Sequence, residues 1–160
     1  MTDNGKEYRR ILGHYPTGVC AVTAMKDNGV PAGLIVGSFT TVSLNPMLVA
    51  FFPDRSSTSW PEIKATGRFC VNVLADCQQD VCKELSAKGD NKFKNVGYHL
   101  SKLGSPILDG ALAWIDCTLD EVHEAGDHFI VLGKVHDLNL HQQGDPMIFH
   151  KGGYSRVLPI

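Results

Sequence analysis

The chain has 160 residues, is 43% hydrophobic and 20% charged, and carries a formal net charge of −2 with a pI near 6.4. That size suits one domain, taken as residues 1–160, and the near-neutral balance excludes the strongly basic face of a nucleic-acid binder. No apolar run approaches the roughly 18 residues of a membrane span, the first residues are polar rather than a secretory core, and the five cysteines are odd in number with no C-x-x-C pair; a cytoplasmic protein is expected.

Tyr8, Ile11 and Leu12 share one face of a short first helix, Glu7–Leu12, that ends near Gly13. Pro16-Thr17-Gly18-Val19 then leads into strands at about 18–25, 30–43 and 47–52. Between the first two stands Asp27-Asn28-Gly29, and Asn-Gly between apolar runs predicts a type I′ hairpin turn. The second strand changes character midway: Gly37, Ser38, Thr40, Thr41 and Ser43 are small or hydroxylated. Such a segment either brings backbone close to a flat ligand or is simply an exposed Thr/Ser-rich strand.

Next comes Pro53-Asp54-Arg55-Ser56-Ser57-Thr58-Ser59-Trp60, where one guanidinium fork beside several hydroxyls predicts a phosphate seat at Arg55, Ser56 and Ser57. Pro61–Thr66 reads as a helix with proline at its first position, and Phe69–Leu74 as a buried strand interrupted by Asn72, a group that either reaches a ligand or bonds a neighbouring loop. Asp76 is the expected N-cap of a helix running to about Lys88, with Cys77, Val81 and Leu85 inward, and the polar stretch Gly89–Gly104 reads as a mobile loop. From Ala113 to Leu119 apolar and polar residues alternate; Gly126-Asp127-His128 makes a turn, Phe129–Leu140 returns, and Met147–Phe149 is a last short strand. Six or more strands, hairpin turns and no βαβ rhythm predict a mainly β, closed antiparallel barrel. Neither G-x-G-x-x-G after a strand, nor a P-loop, nor H-E-x-x-H, nor G-x-S-x-G is present.

Six segments in order carry a resemblance: Pro16-Thr17-Gly18-Val19, Ser38 through Leu44, Val71-Asn72-Val73-Leu74, Gly110-Ala111-Leu112-Ala113, Gly126-Asp127-His128 and Gly153-Tyr154. The chain resembles the flavin reductase-like family, whose fold is an antiparallel split β-barrel, and most of all the small reductases that supply reduced flavin to two-component monooxygenases. The resemblance implies FMN or FAD as flavin and NADH or NADPH as co-substrate, with nicotinamide stacking on the flavin in a cleft. It implies a flavin site along Thr17, Ile35, Val36, Gly37, Ser38, Thr40 and Ser43, with Arg55, Ser56 and Ser57 at the phosphate and Asn72 beside them. Phe93 and Tyr154 either cover the ring or pack, and His128 lies near the nicotinamide as the catalytic residue, orienting the carboxamide. It also implies a homodimer and a monooxygenase partner. Ile35 and Gly37 depart from the threonine and small polar residue that family members often carry. The alternatives are a non-catalytic flavin-binding or storage protein, and a split-barrel flavin oxidase acting on a small substrate.

Overall fold

The computed structural model describes residues 3–160. After helix α1 (Asp3–Leu12), the chain forms β1 (Thr17–Gly18), β2 (Cys20–Met25), β3 (Pro31–Val36), β4 (Thr40–Leu44) and β5 (Met47–Phe51). Helix α2 (Ser59–Thr66), β6 (Arg68–Val73) and helix α3 (Gln79–Ser86) follow. The remainder is β7 (Tyr98–Leu100), β8 (Pro106–Leu108), β9 (Ala113–Ala125), β10 (His128–Leu140), β11 (Ile148–His150) and β12 (Gly153–Ser155). Seven strands make one antiparallel sheet in the order β3-β2-β6-β9-β10-β5-β4; β1-β11-β12 form a small second sheet, and β7-β8 a hairpin.

Period-two alternation distributes the side chains over the two faces of the main sheet. Val22, Phe51, Phe69, Val71, Cys117 and Val131 fill the inside, with the Phe51 ring edge-on to Trp60 and Phe69 at centroid distances of 5.7 and 5.2 Å. Ala21, Leu74, Cys82, Leu85, Leu108 and Met147 form a second cluster that seats α3 and the β7–β8 hairpin outside it. Burial raises the thiols of Cys20 and Cys117 to about 12, so both are inert small apolar groups.

Several sequence expectations are corrected. The sheet is split, as the family resemblance implies, where the strand pattern alone suggests a closed barrel: β3 and β4 are both edges. The expected continuous strand 30–43 breaks at Gly37-Ser38-Phe39, where the Ser38 hydroxyl accepts from the Phe52 N–H at 2.9 Å and turns the chain across the gap. The Asn-Gly turn is not type I′, because only Gly29 has positive φ (77°). The Gly29 N–H donates to Lys26 O at 2.9 Å, and Asn28 Oδ1 accepts from the Val30 N–H at 3.0 Å, giving the longer loop in which a single left-handed glycine suffices. Helix α2 begins two residues before Pro61, and α3 begins at Gln79 rather than beside Asp76. Gln78 takes the tie-down role, accepting from Ala75 N–H and donating to Asp109 O, while Asp76 pairs with Arg156 at 2.7 Å and Cys77 is exposed. The stretch Gly89–Gly104 is anchored rather than loose: Asp90 pairs with Lys26, Asn95 donates to Glu84, and Val96 is buried.

Candidate functional site

A cleft of about 520 Å³ opens along the free edge of β3. The β3 edge from Leu34 to Ser38 borders it, with Leu34 and Val36 turned into one core cluster and Ile35 into the other; one wall is the segment from Phe52 to Ser59, the other the end of α3 with Lys88 and Lys92, and His128 closes one side. The volume lies in the range of small-molecule sites, and a few convergent polar groups are what such sites use.

Short-range chemistry builds the first wall. Asp54 Oδ1 accepts from both the N–H (2.6 Å) and the hydroxyl (2.7 Å) of Ser56, an Asx turn that points the following hydroxyls at the cleft. Those two bonds from Ser56 hold the Asp54 carboxyl below its ordinary value. Ser57 Oγ, one residue ahead of the Thr58 N-cap, accepts from the Trp60 N–H at 3.2 Å and so satisfies one free donor of the first turn of α2, which begins at the same space.

His128 is set by backbone as well as side chain. Ala125 pairs with His128, leaving the two-residue loop Gly126-Asp127, with Gly126 at φ 62° as a Gly-X loop requires. The loop is stitched to the wall: Asp54 bridges His128, the Arg55 N–H donates to Asp127 O at 2.9 Å, and the Phe129 N–H donates to Pro53 O at 3.0 Å. Asp127 Oδ1 lies 2.7 Å from His128 Nδ1, which orients the ring.

Seven expected residues line this cleft: Ile35, Val36, Gly37, Ser38, Ser56, Ser57 and His128. The others do not. A Cβ on Gly37 would meet Thr17 Oγ1 at 2.8 Å, so Thr17 packs against the Gly37 backbone and is not among the residues that line the cleft. Thr40 is exposed on β4, outside the cleft, and Ser43 lies in a separate apolar groove of about 320 Å³ with Val42, Leu44, Met47 and Leu138. Arg55 turns away to the β9–β10 hairpin. It pairs with Glu124 at 2.6 Å, donates to Gly126 O and stands 5.3 Å over the Phe129 ring.

Asn72 is fully buried and saturated by protein. Its amide donates to Ala21 O, Thr23 Oγ1 and Pro106 O, and its Oδ1 accepts from the Leu108 N–H at 2.8 Å. It bonds a neighbouring loop, the alternative the sequence left open. Phe93 packs into the second cluster, edge-on to Tyr98, and Tyr154 sits beyond α3 beside Phe149 and Cys82.

Lys92 escaped the sequence reading. Its ammonium lines the cleft and donates to Ser59 Oγ at 2.7 Å, Leu85 O at 3.1 Å and Gly33 O at 3.2 Å. Burial holds its pKa below the usual lysine value. Its acceptors are 7 to 59 residues away, so no local pattern could reveal it. Asp54 was legible: Asp followed two residues later by Ser is the signature of the turn it makes.

Residues 12–158 match the model of the flavin reductase like domain. A flavin reductase of Pseudomonas putida is 57% identical, over 92% of this chain and 87% of its own. The nitrilotriacetate monooxygenase component B homologue of Mycobacterium thermoresistibile superposes with a TM-score of 0.93 at 43% identity, over 98% of this chain and 88% of its own. The Streptomyces globisporus C-1027 NADH:FAD oxidoreductase SgcE6, solved with NAD and FAD fragments, superposes with a TM-score of 0.90 at 30% identity, over 99% and 97%.

Proposed function

This chain belongs to the flavin reductase-like family, and from that premise we propose that the cleft along β3 is where an NAD(P)H:flavin oxidoreductase transfers hydride from reduced nicotinamide to a flavin nucleotide, whose reduced form then serves a monooxygenase. The observation that carries the reading is the composition of one continuous cleft. The free backbone edge of β3, a hydroxyl-rich helix start at one wall and an oriented imidazole at the side are brought together from β3, the Phe52–Ser59 segment and the β9–β10 hairpin. The lining suits a flavin nucleotide: the free backbone edge of β3 would border a flat ring, and the Ser57 hydroxyl with the first turn of α2 would hold an anionic phosphate.

The flavin, when bound, supplies the hydride-accepting chemistry, which needs no protein acid. The residues provide position. The β3 edge and the wall at Pro53 would cover one face of a bound ring. His128, its Nδ1 held by Asp127, has its other ring nitrogen left for a ligand group such as a carboxamide. Backbone groups of Gly37 and Ser38, at the strand break, border the cleft as hydrogen-bonding edges.

The second apolar groove supports a homodimer. Val42, Leu44, Met47 and Leu138 expose 43–87% of their surface along the edge formed by β4 and the end of β10, a concentration of apolar surface that suits a partner copy. No helix among the described residues is long and apolar enough to cross a membrane, and all five cysteines are free; both suit a cytoplasmic enzyme.

Anaerobic mixing of the flavin-loaded protein with NADH, followed at the flavin absorbance band, tests the activity. Rapid bleaching is expected. Flavin binding without bleaching by NADH or NADPH would leave a binding module instead.

A further inference from the structure

Outside the cleft, the segment between β7 and β8 straps a row of polar side chains on the main sheet. Thr23, Cys70, Asp116 and Asp137 stand opposite one another across β2, β6, β9 and β10, and Arg68, two residues before Cys70, shares their face. The strap is tied along its length. Lys102 pairs with Asp137 at 2.8 Å, the Leu103 N–H donates to Asp116 Oδ2 at 3.2 Å, and Pro106 O accepts from the Thr23 hydroxyl at 2.6 Å. Beneath it three buried side-chain atoms have no protein hydrogen-bond partner among the described residues: Arg68 Nε, Ser105 Oγ and Asp116 Oδ1. Ser105 and Asp116 are fully buried.

We propose that these three atoms form a binding site for one internal water molecule, which joins β6, β9 and the strap. Their placement is the first reason. Arg68 lies diagonally across the β6–β9 pair from Asp116, a separation that long side chains span. A Cβ on Gly104 would stand 3.8 Å from Arg68 Nη2 and 3.9 Å from its Nε, so the strap backbone rests on the guanidinium. Leu103 on one side of Gly104 bonds the Asp116 carboxyl, and Ser105 on the other carries the unpartnered hydroxyl. Residues 103–105 therefore gather the three atoms.

The second reason is hydrogen-bond arithmetic. Arg68 Nε–H and the Ser105 hydroxyl are donors, and Asp116 Oδ1 is an acceptor. One water accepts from both donors and gives a proton to the carboxyl, which makes the three bonds usual for a buried water. A metal cation or ammonium has no acceptor for the Arg68 N–H and meets a guanidinium. A halide has no proton for Asp116 and meets a carboxyl group. The mixed set selects a neutral guest that both donates and accepts. The tied strap closes the site over it, so the exchange of this water with solvent is slow.

A crystal structure of the parent protein, at a resolution that shows ordered water, is the direct test. One density peak is expected about 2.6–3.2 Å from each of the three atoms. A direct Arg68–Asp116 contact with no peak between them would overturn the site, and so would a peak with the density or coordination of an ion. Oxygen-17 magnetic relaxation dispersion tests the same water in solution. Ser105→Val removes the hydroxyl and adds bulk where the water would sit, and is expected to lose one long-lived water relative to the parent. An unchanged number in the folded variant would overturn the proposal; the parent crystal structure decides it even if that variant does not fold.

Discussion

Two polar regions of the molecule look alike in sequence and behave oppositely in the fold. Around Asn72, an amide, the Thr23 hydroxyl, two carbonyls and the Leu108 N–H satisfy one another in a site with no solvent access. Around Ser56, Ser57 and His128, hydroxyls and an imidazole are held just as firmly by Asp54, Trp60 and Asp127, but each also borders open space. A polar group whose bonding capacity is spent inside the protein specifies packing. One that is oriented from behind, with capacity left on its other side, is prepared for a ligand. Burial alone does not separate the two cases; the direction of the unused capacity does.

The sharpest break in that contrast comes from Asn72→Leu. It strands the Leu108 N–H and removes a donor from Pro106 O, and is expected to cost about 2–4 kcal/mol and lower Tm by roughly 5–10 °C. Flavin affinity of the folded fraction should stay within about threefold of the parent. Thermal melts with flavin titration measure both; a stable variant that no longer binds flavin would place Asn72 in the cleft after all.

On the open side, His128→Ala is expected to lower kcat/KM for NADH about 10- to 100-fold, or about 1.4–2.7 kcal/mol, and to leave flavin affinity nearly unchanged. Steady-state NADH oxidation at saturating flavin reads the first, titration the second. Untouched turnover would reduce the histidine to a hairpin residue, and collapsed flavin binding would move it to the flavin side of the cleft.

Asp116 sharpens the comparison as an intermediate case. It is fully buried, its Oδ2 accepts from the Leu103 N–H at 3.2 Å, and its Oδ1 has no partner. Burial raises its pKa above the ordinary 3.8, with the Asp137 charge adding to the rise and the Ser101, Leu103 and His136 contacts opposing it. The folded chain therefore keeps a proton that the unfolded chain has released, and this residue's contribution to stability falls as pH rises above about 4. Asp116→Asn removes that decline. Its melting temperature should match the parent's near pH 4 and exceed it by a margin that widens as pH rises. A gap that does not widen with pH would mean that Asp116 carries no such penalty.

The smallest effect belongs to Arg55→Ala. Its ion pair with Glu124 is exposed on both sides, worth about 0–1 kcal/mol of stability, and its guanidinium is turned from the cleft. FMN and riboflavin affinities should each shift less than about threefold. A selective loss of FMN would return the phosphate to Arg55.

Much of this molecule was legible in its sequence, for local reasons. Alternation from Ala113 to Leu119 expresses the period of two of a half-buried strand, the apolar runs of β2 and β6 mark strands buried on both faces, and a glycine turn at 126–128 joins the last long pair; the mainly antiparallel β fold follows from them. The Gly37–Ser38 segment and the hydroxyls after Asp54 stand out in the sequence as small and hydroxylated residues, and the fold lines one cleft with them. What the sequence left undecided are questions of direction and partnership. Whether Asn72 turns toward a cofactor or into a knot with Thr23, whether Arg55 faces the cleft or Glu124, and that Lys92 joins β3, α2 and α3 depend on residues tens of positions apart in the chain. Even the split in the sheet depends on a hydroxyl at 38 meeting the backbone at 52. Periodicity records which side of a strand a residue takes, because neighbouring residues impose it. The partner across the gap is chosen by packing of the whole sheet, and only the tertiary structure decides it.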